Sequence, residues 1–266
     1  KPTSWLELAF TGGFIPENTF RNFFVSGVLR EASDTKGRAE IEAQKVIRWN
    51  LQPRIAINKS FGDHKINATA VYELRKSSND KIYTRYEQFS TEVLKQNSIG
   101  AASSIISIPT YFDIRDRSYI ARAQYDYKSR YIFTGSARID ESSRFVNDRR
   151  GFFPAASAAW NISDENFMDF AKKYLSALKL RVGYGITGNN QIPINAGLAL
   201  ANIGTVGYPF NDAVNTSVNT NTRFANSEIT WETTVGKNIG LDLGFFNDKI
   251  AVSTNLYSNV TRDLLL

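Results

Sequence analysis

The sequence contains no cysteine, a single histidine and a single methionine in 266 residues. The lack of cysteine is compatible with a cell-surface protein closed by backbone hydrogen bonds, and it is also common in cytosolic proteins. His64 has no second histidine or cysteine to act with, so metal binding and triad chemistry have almost no support. On these residues we expect no catalytic group, no metal ligand and no cofactor.

Long hydrophobic runs are also missing, since no stretch approaches the roughly 20 apolar residues of a membrane-spanning helix. This absence does not argue against a β-barrel, whose membrane signal is an alternation of apolar and polar residues. The formal net charge is +6, but lysine and arginine are scattered along the chain. A nucleic-acid surface needs a basic stripe with interleaved aromatic residues, so we expect no nucleic-acid partner.

The most frequent pattern in the sequence is an alternation of apolar and polar residues. In four segments, apolar residues on one face alternate with polar or small residues on the other, as strands between a dry side and a wet side require. The apolar members are Trp49, Leu51, Ile55 and Ile57; Leu178, Leu180, Val182, Tyr184 and Ile186; Ile239, Leu241, Leu243 and Phe245; and Ile250, Val252, Leu256 and Val260. The pattern predicts an all-β fold. A soluble β-sandwich or lipocalin-like barrel would show the same period.

The lengths of strands and connections favour a membrane barrel over those soluble folds. Long polar stretches cover 76–118 and 189–230, and very short turns separate other strands. The predicted short turns are 61–65, 128–130 and 247–249, and near the start we predict a strand at 5–10, a turn at 14–19 and a strand at 20–31. Such a layout is typical of transmembrane, antiparallel, up-and-down barrels. We count about ten strands, long enough for tilted crossings of about 9–11 residues.

The same layout predicts the side of the membrane on which each connection lies. Residues 76–118, 142–150 and 189–230 are predicted to be extracellular. Residues 62–65, 128–130, 163–177 and 247–248 are predicted to face the periplasm.

One segment breaks the strand pattern and predicts a short periplasmic helix near residues 164–175. Ser163 or Asp164 is expected to cap it, and acidic residues occupy its first turn. Phe167, Phe170 and Tyr174 follow at helical spacing. We expect this helix to be structural.

Two other motifs suggest chemistry that their contexts do not favour. Gly183, Gly185 and Gly188 match the dinucleotide fingerprint, but they fall inside an alternating strand, where small residues would instead let a plug approach. Four carboxylates could converge at the outer rim, although rim carboxylates are usually solvated loop charges. These are Asp113, Asp116, Asp140 and Glu141.

Four stretches of the sequence resemble the SusC/RagA family of TonB-linked outer-membrane transporters. They are RYIFTGSARIDESSRF (130–145), GFFPAASAAWNISDENFM (151–168), LKLRVGYGITGNN (178–190) and WETTVGKNIGLDLGFFNDKIAVSTNLYSNVTRDLLL (231–266). The likeness is in register from about residue 47 onward. The family more often has Arg-Asp-Gly where this chain has Ile139, Asp140 and Glu141.

The resemblance implies that residues 1–266 form part of the β-barrel domain of a TonB-dependent transporter. A signal peptide, an N-terminal domain, a plug and the C-terminal strands are expected to lie outside this chain, in a barrel of about 22 strands. The family implies residence in the outer membrane of a Gram-negative bacterium, contact with the lipid bilayer, a SusD-like surface lipoprotein as lid, and energy from the TonB complex.

Two groups of site residues follow from the resemblance and from the predicted loops. The family motifs correspond to Ser142, Ser143, Arg144, Phe145, Gly188, Asn189 and Asn190. Loop aromatic residues that could stack on a sugar substrate are Tyr83, Tyr86, Tyr111, Phe112, Tyr208 and Phe210. These aromatic residues could equally pack the loops together.

Three classes of function remain for such a wall. The resemblance favours import of a large nutrient, most often a glycan and sometimes a peptide, by a protein that is not an enzyme. A barrel enzyme would need His64 at the loop rim, but it lies in a short turn at the other end. A structural or adhesive surface barrel would show repeats or a large loop domain, and neither appears.

Overall fold

Nearly all the alternating segments form strands of one antiparallel sheet in the computed structural model. The structure describes residues 3–93, 95–97, 99–147, 149–194, 196–198, 200–210, 213–223, 226 and 228–265, with the backbone alone at 96, 200–210 and 213–223. A nine-stranded sheet has the order β1-β2-β3-β4-β5-β6-β7-β10-β11, and β8 and β9 form a separate two-stranded sheet. The predicted all-β, up-and-down architecture is confirmed.

The strands differ greatly in length. Their bounds are β1 Leu6–Val25, β2 Arg38–Phe61, β3 His64–Phe89, β4 Ala102–Tyr127, β5 Tyr131–Ser142, β6 Arg150–Asn161, β7 Leu175–Asn189, β8 Leu200–Phe210, β9 Ala213–Arg223, β10 Glu232–Phe245 and β11 Ile250–Arg262. Short 3-10 helices lie at Lys95–Asn97, Ile99–Ala101, Ile162–Asp164 and Asn166–Ala171. Among the described residues, no helix is long and apolar enough to cross a membrane.

Contacts divide the chain into two compact units. Unit 1 comprises Lys1–Thr11, Gln52–Leu74 and Asp116–Leu266, and unit 2 comprises Gly12–Leu51 and Arg75–Arg115. Strands β5 to β11 therefore belong to unit 1, whereas β1 to β4 each contribute residues to both units.

The strand register places the predicted faces as the alternation requires. Leu241 on β10 pairs with Leu180 on β7 and with Thr254 on β11, and Asp242 pairs with Lys179 and Ser253. Paired residues share a face of the sheet. One face is therefore lined by apolar residues and the other by polar and small residues, and we call them the apolar face and the polar face.

Two predictions about the first four strands are wrong. Residues 14–19 do not turn, because β1 continues through them as an edge strand, a position in which a proline such as Pro16 is tolerated. Residues 76–118 are mostly strand rather than loop. Their polar side chains form cross-strand pairs such as Lys81 with Glu42 at 2.9 Å and Gln44 with Asn79 at 3.0 Å.

The helix predicted near 164–175 is present as two 3-10 segments, and its predicted cap is wrong. The residues at the N-cap positions are Asn161 and Glu165, and neither makes a side-chain capping bond. Glu165 has extended backbone (φ −77°, ψ 145°), which interrupts the helix between Asp164 and Asn166.

Candidate functional site

The family-motif residues meet at the ends of β5, β6, β7 and β10, where they surround a small apolar cluster. Phe145, Phe153, Ile192 and Trp231 are all buried. The Trp231 ring lies 5.1 Å from the ring of Phe145 and 5.4 Å from that of Phe153, measured between centroids. The cluster joins the loop after β5 to the loop after β7.

Two glycines make room for the ring of Phe153. A Cβ atom added to Gly188 would lie 2.0 Å from this ring, and one added to Gly151 would lie 2.3 Å from it. Atoms at these separations would overlap, so any side chain at either position forces the ring to move.

Polar members of the motifs fix the loop backbones around this cluster. The buried hydroxyl of Ser142 donates to Asp116 at 2.7 Å. Arg144 donates to the carbonyl oxygen of Ile192 at 2.6 Å. Asn189 donates to Glu232 at 3.2 Å and accepts from the amide of Gln191, while the carbonyl of Asn190 accepts from the amide of Ile192. Glu141, one of the four rim carboxylates considered above, accepts from both Arg117 and Arg150.

Aromatic rings form a continuous belt beside the short turns. The centroid distances are 5.2 Å for Phe61–His64, 5.0 Å for His64–Tyr127, 6.3 Å for Tyr127–Tyr131, 6.3 Å for Tyr131–Trp160 and 6.5 Å for Trp160–Phe167. Lysines lie over two rings at this end: the Lys128 ammonium is 5.4 Å from the centroid of the belt residue Tyr127, and the Lys59 ammonium is 5.7 Å from that of Trp5. Aromatic and lysine side chains together are typical of a membrane interface.

A second aromatic group lies further along the same apolar face. Tyr119 packs against Tyr72, with the ring centroids 5.0 Å apart, and pairs with Ile139, which pairs with Phe152. Tyr127 lies eight positions after Tyr119 in β4, which is about 26 Å of extended chain and about 20 Å of height for a tilted strand. The apolar band between two such groups is similar in height to the band of about 25 Å in membrane barrels.

The polar face carries charges that neutralise one another. Arg48 pairs with Glu17 at 2.9 Å, Arg54 with Glu7, and Arg181 with Asp242 at 2.7 Å. Arg138 binds Asp140 at 2.6 Å and lies 3.9 Å from Glu73. Arg122 lies on the same face, where it pairs in the register with Ser136.

A carboxylate in unit 2 holds the connection between β1 and β2. The Glu92 carboxylate accepts a hydrogen bond from the Ser26 hydroxyl and another from the backbone amide of Gly27, with 2.7 Å between the Gly27 nitrogen and Oε1. These hydrogen bonds lower the pKa of Glu92, the one from Ser26 most. Gly37 has φ 88°, and a Cβ there would lie 2.5 Å from Glu92. We call this arrangement the Glu92 clasp.

A second carboxylate organises the turn between β6 and β7. Glu165 is buried, accepts from the indole of Trp160 at 3.0 Å and pairs with Arg130 at 3.2 Å. Hydrogen bonding from Tyr131, followed by that from Trp160, lowers its pKa. Because Trp160 and Tyr131 belong to the aromatic belt, these hydrogen bonds connect the turn to the belt.

The predicted substrate-stacking residues lie in strands rather than in a loop. Tyr83 and Tyr86 lie in β3, three residues apart, and the adjacent Tyr111 and Phe112 lie in β4. Odd spacing along a strand puts the two members of each pair on opposite faces. Tyr208 and Phe210 lie in β8, whose side chains are outside the described part of the structure. Phe89 is buried against Phe24.

The single histidine takes part in packing. His64 is within 2.7 Å of the Tyr125 hydroxyl and stacks with Phe61. Among the described residues, no group of three His, Cys, Asp or Glu side chains is placed to hold a metal ion.

An apolar band between two aromatic groups on one face, with neutralised charges on the other, defines a section of a β-barrel wall. A TonB dependent receptor-like β-barrel family model matches residues 4–266. TonB-dependent receptor P3 of Formosa agariphila is 31% identical over 98% of this chain and 26% of its own length. TonB-dependent receptor SusC of Bacteroides thetaiotaomicron is 39% identical over 56% of this chain and 15% of its own.

A solved structure of the RagAB peptide transporter matches 100% of this chain and 29% of its own, with a TM-score of 0.82 and 23% identity, which supports the fold. The chain belongs to the TonB-dependent receptor-like β-barrel family. The family recognised from the sequence motifs is confirmed. The chain spans about a quarter or less of the curated relatives described above.

Proposed function

We propose that this chain is part of the wall of an outer-membrane transporter that imports a large polar nutrient. The observation that carries the proposal is the separation of the two faces. The apolar face suits contact with lipid acyl chains, and the polar face suits a wet lumen.

The polar face and the relatives support a proposal for the substrate class. A lumen lined by ion pairs, amides and hydroxyls favours hydrated cargo over apolar cargo. We propose a glycan or oligosaccharide as the cargo, with a peptide as the alternative that the name of the RagAB structure suggests. SusC among the relatives supports a SusD-like surface lipoprotein as the lid.

The energy source is proposed from family membership. The TonB complex would act through parts of the longer relatives that this chain does not cover. The chain itself would supply a rigid wall. It would not be an enzyme, and no chemical step is assigned to it.

Deletion of the gene for the full-length protein tests this proposal. Growth on one polysaccharide or peptide source should be lost, while growth on the corresponding monomers is retained. Complementation with the intact gene should restore growth, but not in a strain that lacks TonB. Cleavage of the polymer by the purified barrel, without its lid or an accompanying hydrolase, would contradict the proposal.

A further inference from the structure

One arginine on the polar face of unit 1 lacks the acidic partner that its neighbours have. Arg54, Arg138 and Arg181 each pair with a carboxylate. The side chain of Arg122 has no ion pair or hydrogen bond among the described residues. An unpaired guanidinium keeps its full charge and its donors for an external acceptor.

Arg122 stands at one end of a recess that the strand register builds. One row of paired residues runs from Arg122 through Ser136, Ala155, Gly185 and Gly236 to Asn259. Alanine and glycine in the middle of the row leave a hollow between larger side chains at its ends. Strands about 4.8 Å apart put those ends about 24 Å from each other.

The recess has the volume and the lining of a binding site for a polar molecule. Its cavity volume is about 600 Å³, within the range of about 300–1,000 Å³ for small-molecule sites. Hydroxyl and amide groups of Ser136, Ser157, Asn238 and Asn259 line it, and none of its lining residues is acidic. Charge and hydrogen-bond donors therefore both favour an anion.

We propose that this recess binds an anionic group, a carboxylate or a sulfate, carried by a molecule larger than a simple ion. The inference rests on the proposed function, because it takes the polar face as the lumen side. The anion has two possible sources with the same chemistry. It is carried either by soluble acidic cargo or by an acidic residue of a plug in the full-length protein.

The test measures the electrostatic potential beside Arg122 in the full-length protein. Ser136→Cys places a thiol directly across from Arg122 in the register, and any native cysteine outside this cysteine-free chain is first replaced by serine. Labelling rates are compared for a sulfonate-bearing and a trimethylammonium-bearing methanethiosulfonate reagent of similar size. We expect the anionic reagent to react faster by on the order of ten-fold. Arg122→Gln should remove this preference, and Arg122→Lys should retain it.

A matched control uses a position beside a neutralised arginine. Ala159 pairs with Arg181, whose charge is balanced by Asp242, so Ala159→Cys should show a much smaller preference. Equal preferences at positions 136 and 159, or a preference at 136 unchanged by Arg122→Gln, would overturn the proposal. The labelling ratio does not depend on growth or transport, so its outcome is distinguishable from failure of the proposed import.

Two further arms identify the source of the anion. Slower labelling at position 136 with oligogalacturonate, but not with a neutral maltooligosaccharide, indicates soluble acidic cargo. Labelling that is slow with both reagents, and becomes anion-selective after urea releases the plug, indicates an acidic plug residue. Labelling that is slow at position 136 both before and after urea, while position 159 reacts, would overturn the site.

Discussion

At the residue scale, packing at the loop end of the sheet depends on two glycines beside Phe153. This ring occupies the space where Gly151 and Gly188 have no side chain, and it packs on Trp231. The sequence alone identified Gly188 through a family motif, but it could not give the reason. The reason is a contact with a residue 35 positions earlier, which only the paired strands bring close.

Gly188→Ala should destabilise the protein by about 1–3 kcal/mol, because the added Cβ overlaps the Phe153 ring in a packed cluster. Gly135→Ala is the matched control, since a Cβ there meets nothing within 4 Å. Urea unfolding of the purified full-length variants measures the difference. Equal loss of stability in both variants would show that the cost comes from strand backbone rather than from the ring.

The two faces of β10 make a second prediction at this scale. Leu241 lies on the apolar face and Asn238 on the polar face, near the recess. Arginine at a lipid-facing midplane site costs about 2–4 kcal/mol in membrane barrels. Leu241→Arg should therefore lower the yield of folded barrel in the outer membrane far more than Asn238→Arg does. Equal yields would argue for a water-exposed sheet.

At the scale of elements, alternation predicted the strands that have one dry face and one wet face. Together with the short turns at 128–130 and 247–249 it placed β4 beside β5 and β10 beside β11, and it kept the glycine fingerprint inside β7. It failed where the alternation is absent: residues 75–81 of β3 are polar on both faces, and in β4 the adjacent Ile105 and Ile106 put apolar side chains on both faces. There the strands are held by cross-strand ion pairs such as Lys81 with Glu42, which leave no apolar period in the sequence.

The Glu92 clasp supplies the prediction for an element. Glu92→Ala removes the acceptor for Ser26 and Gly27, so the connection between β1 and β2 should open more often. Trypsin at pH 8 should then cleave at Arg30 and Lys36 several-fold faster in the intact protein, as read by mass spectrometry. Asp34→Ala is the control, because Asp34 lies in the same exposed connection and makes one weak contact, with Ser33 at 3.5 Å.

The same clasp has a defined response to pH. The pKa of Glu92 is lowered below its ordinary value of 4.5, so the ionised form is favoured in the folded state. Its contribution is complete near neutral pH and is lost as the pH falls through the lowered pKa. An acid-active protease should therefore cut wild type faster relative to Glu92→Ala as the pH falls below 4.5. A constant ratio would contradict this role.

At the scale of the whole molecule, the sequence predicted the barrel family, and the structure adds the arrangement across strands. The recess beside Arg122 combines residues from six strands, and β10 follows β7 in the sheet although β8 and β9 intervene in the chain. No pattern within a single segment of the sequence predicts that these six strands bring the residues of the recess together. The aromatic belt likewise joins residues from β2 to the turn after β6. Within its own segment, no single one of these aromatic residues indicates that the belt exists.

The final prediction concerns how this wall is oriented in the outer membrane. The aromatic belt and the lysines over its rings lie beside the short turns, which face the periplasm in membrane barrels, and the longer connections face outward. Val28, in the connection between β1 and β2, is 91% exposed. Val28→Cys should therefore label with an impermeant thiol reagent on intact cells. Asn247→Cys, in the turn between β10 and β11, should label only after the outer membrane is permeabilised. Both variants need comparable amounts of folded protein, which a surface-independent immunoblot provides. Labelling of Asn247→Cys but not of Val28→Cys on intact cells would show that the orientation is the reverse of the one predicted. The connection held by the Glu92 clasp would then face the periplasm rather than the side that captures cargo.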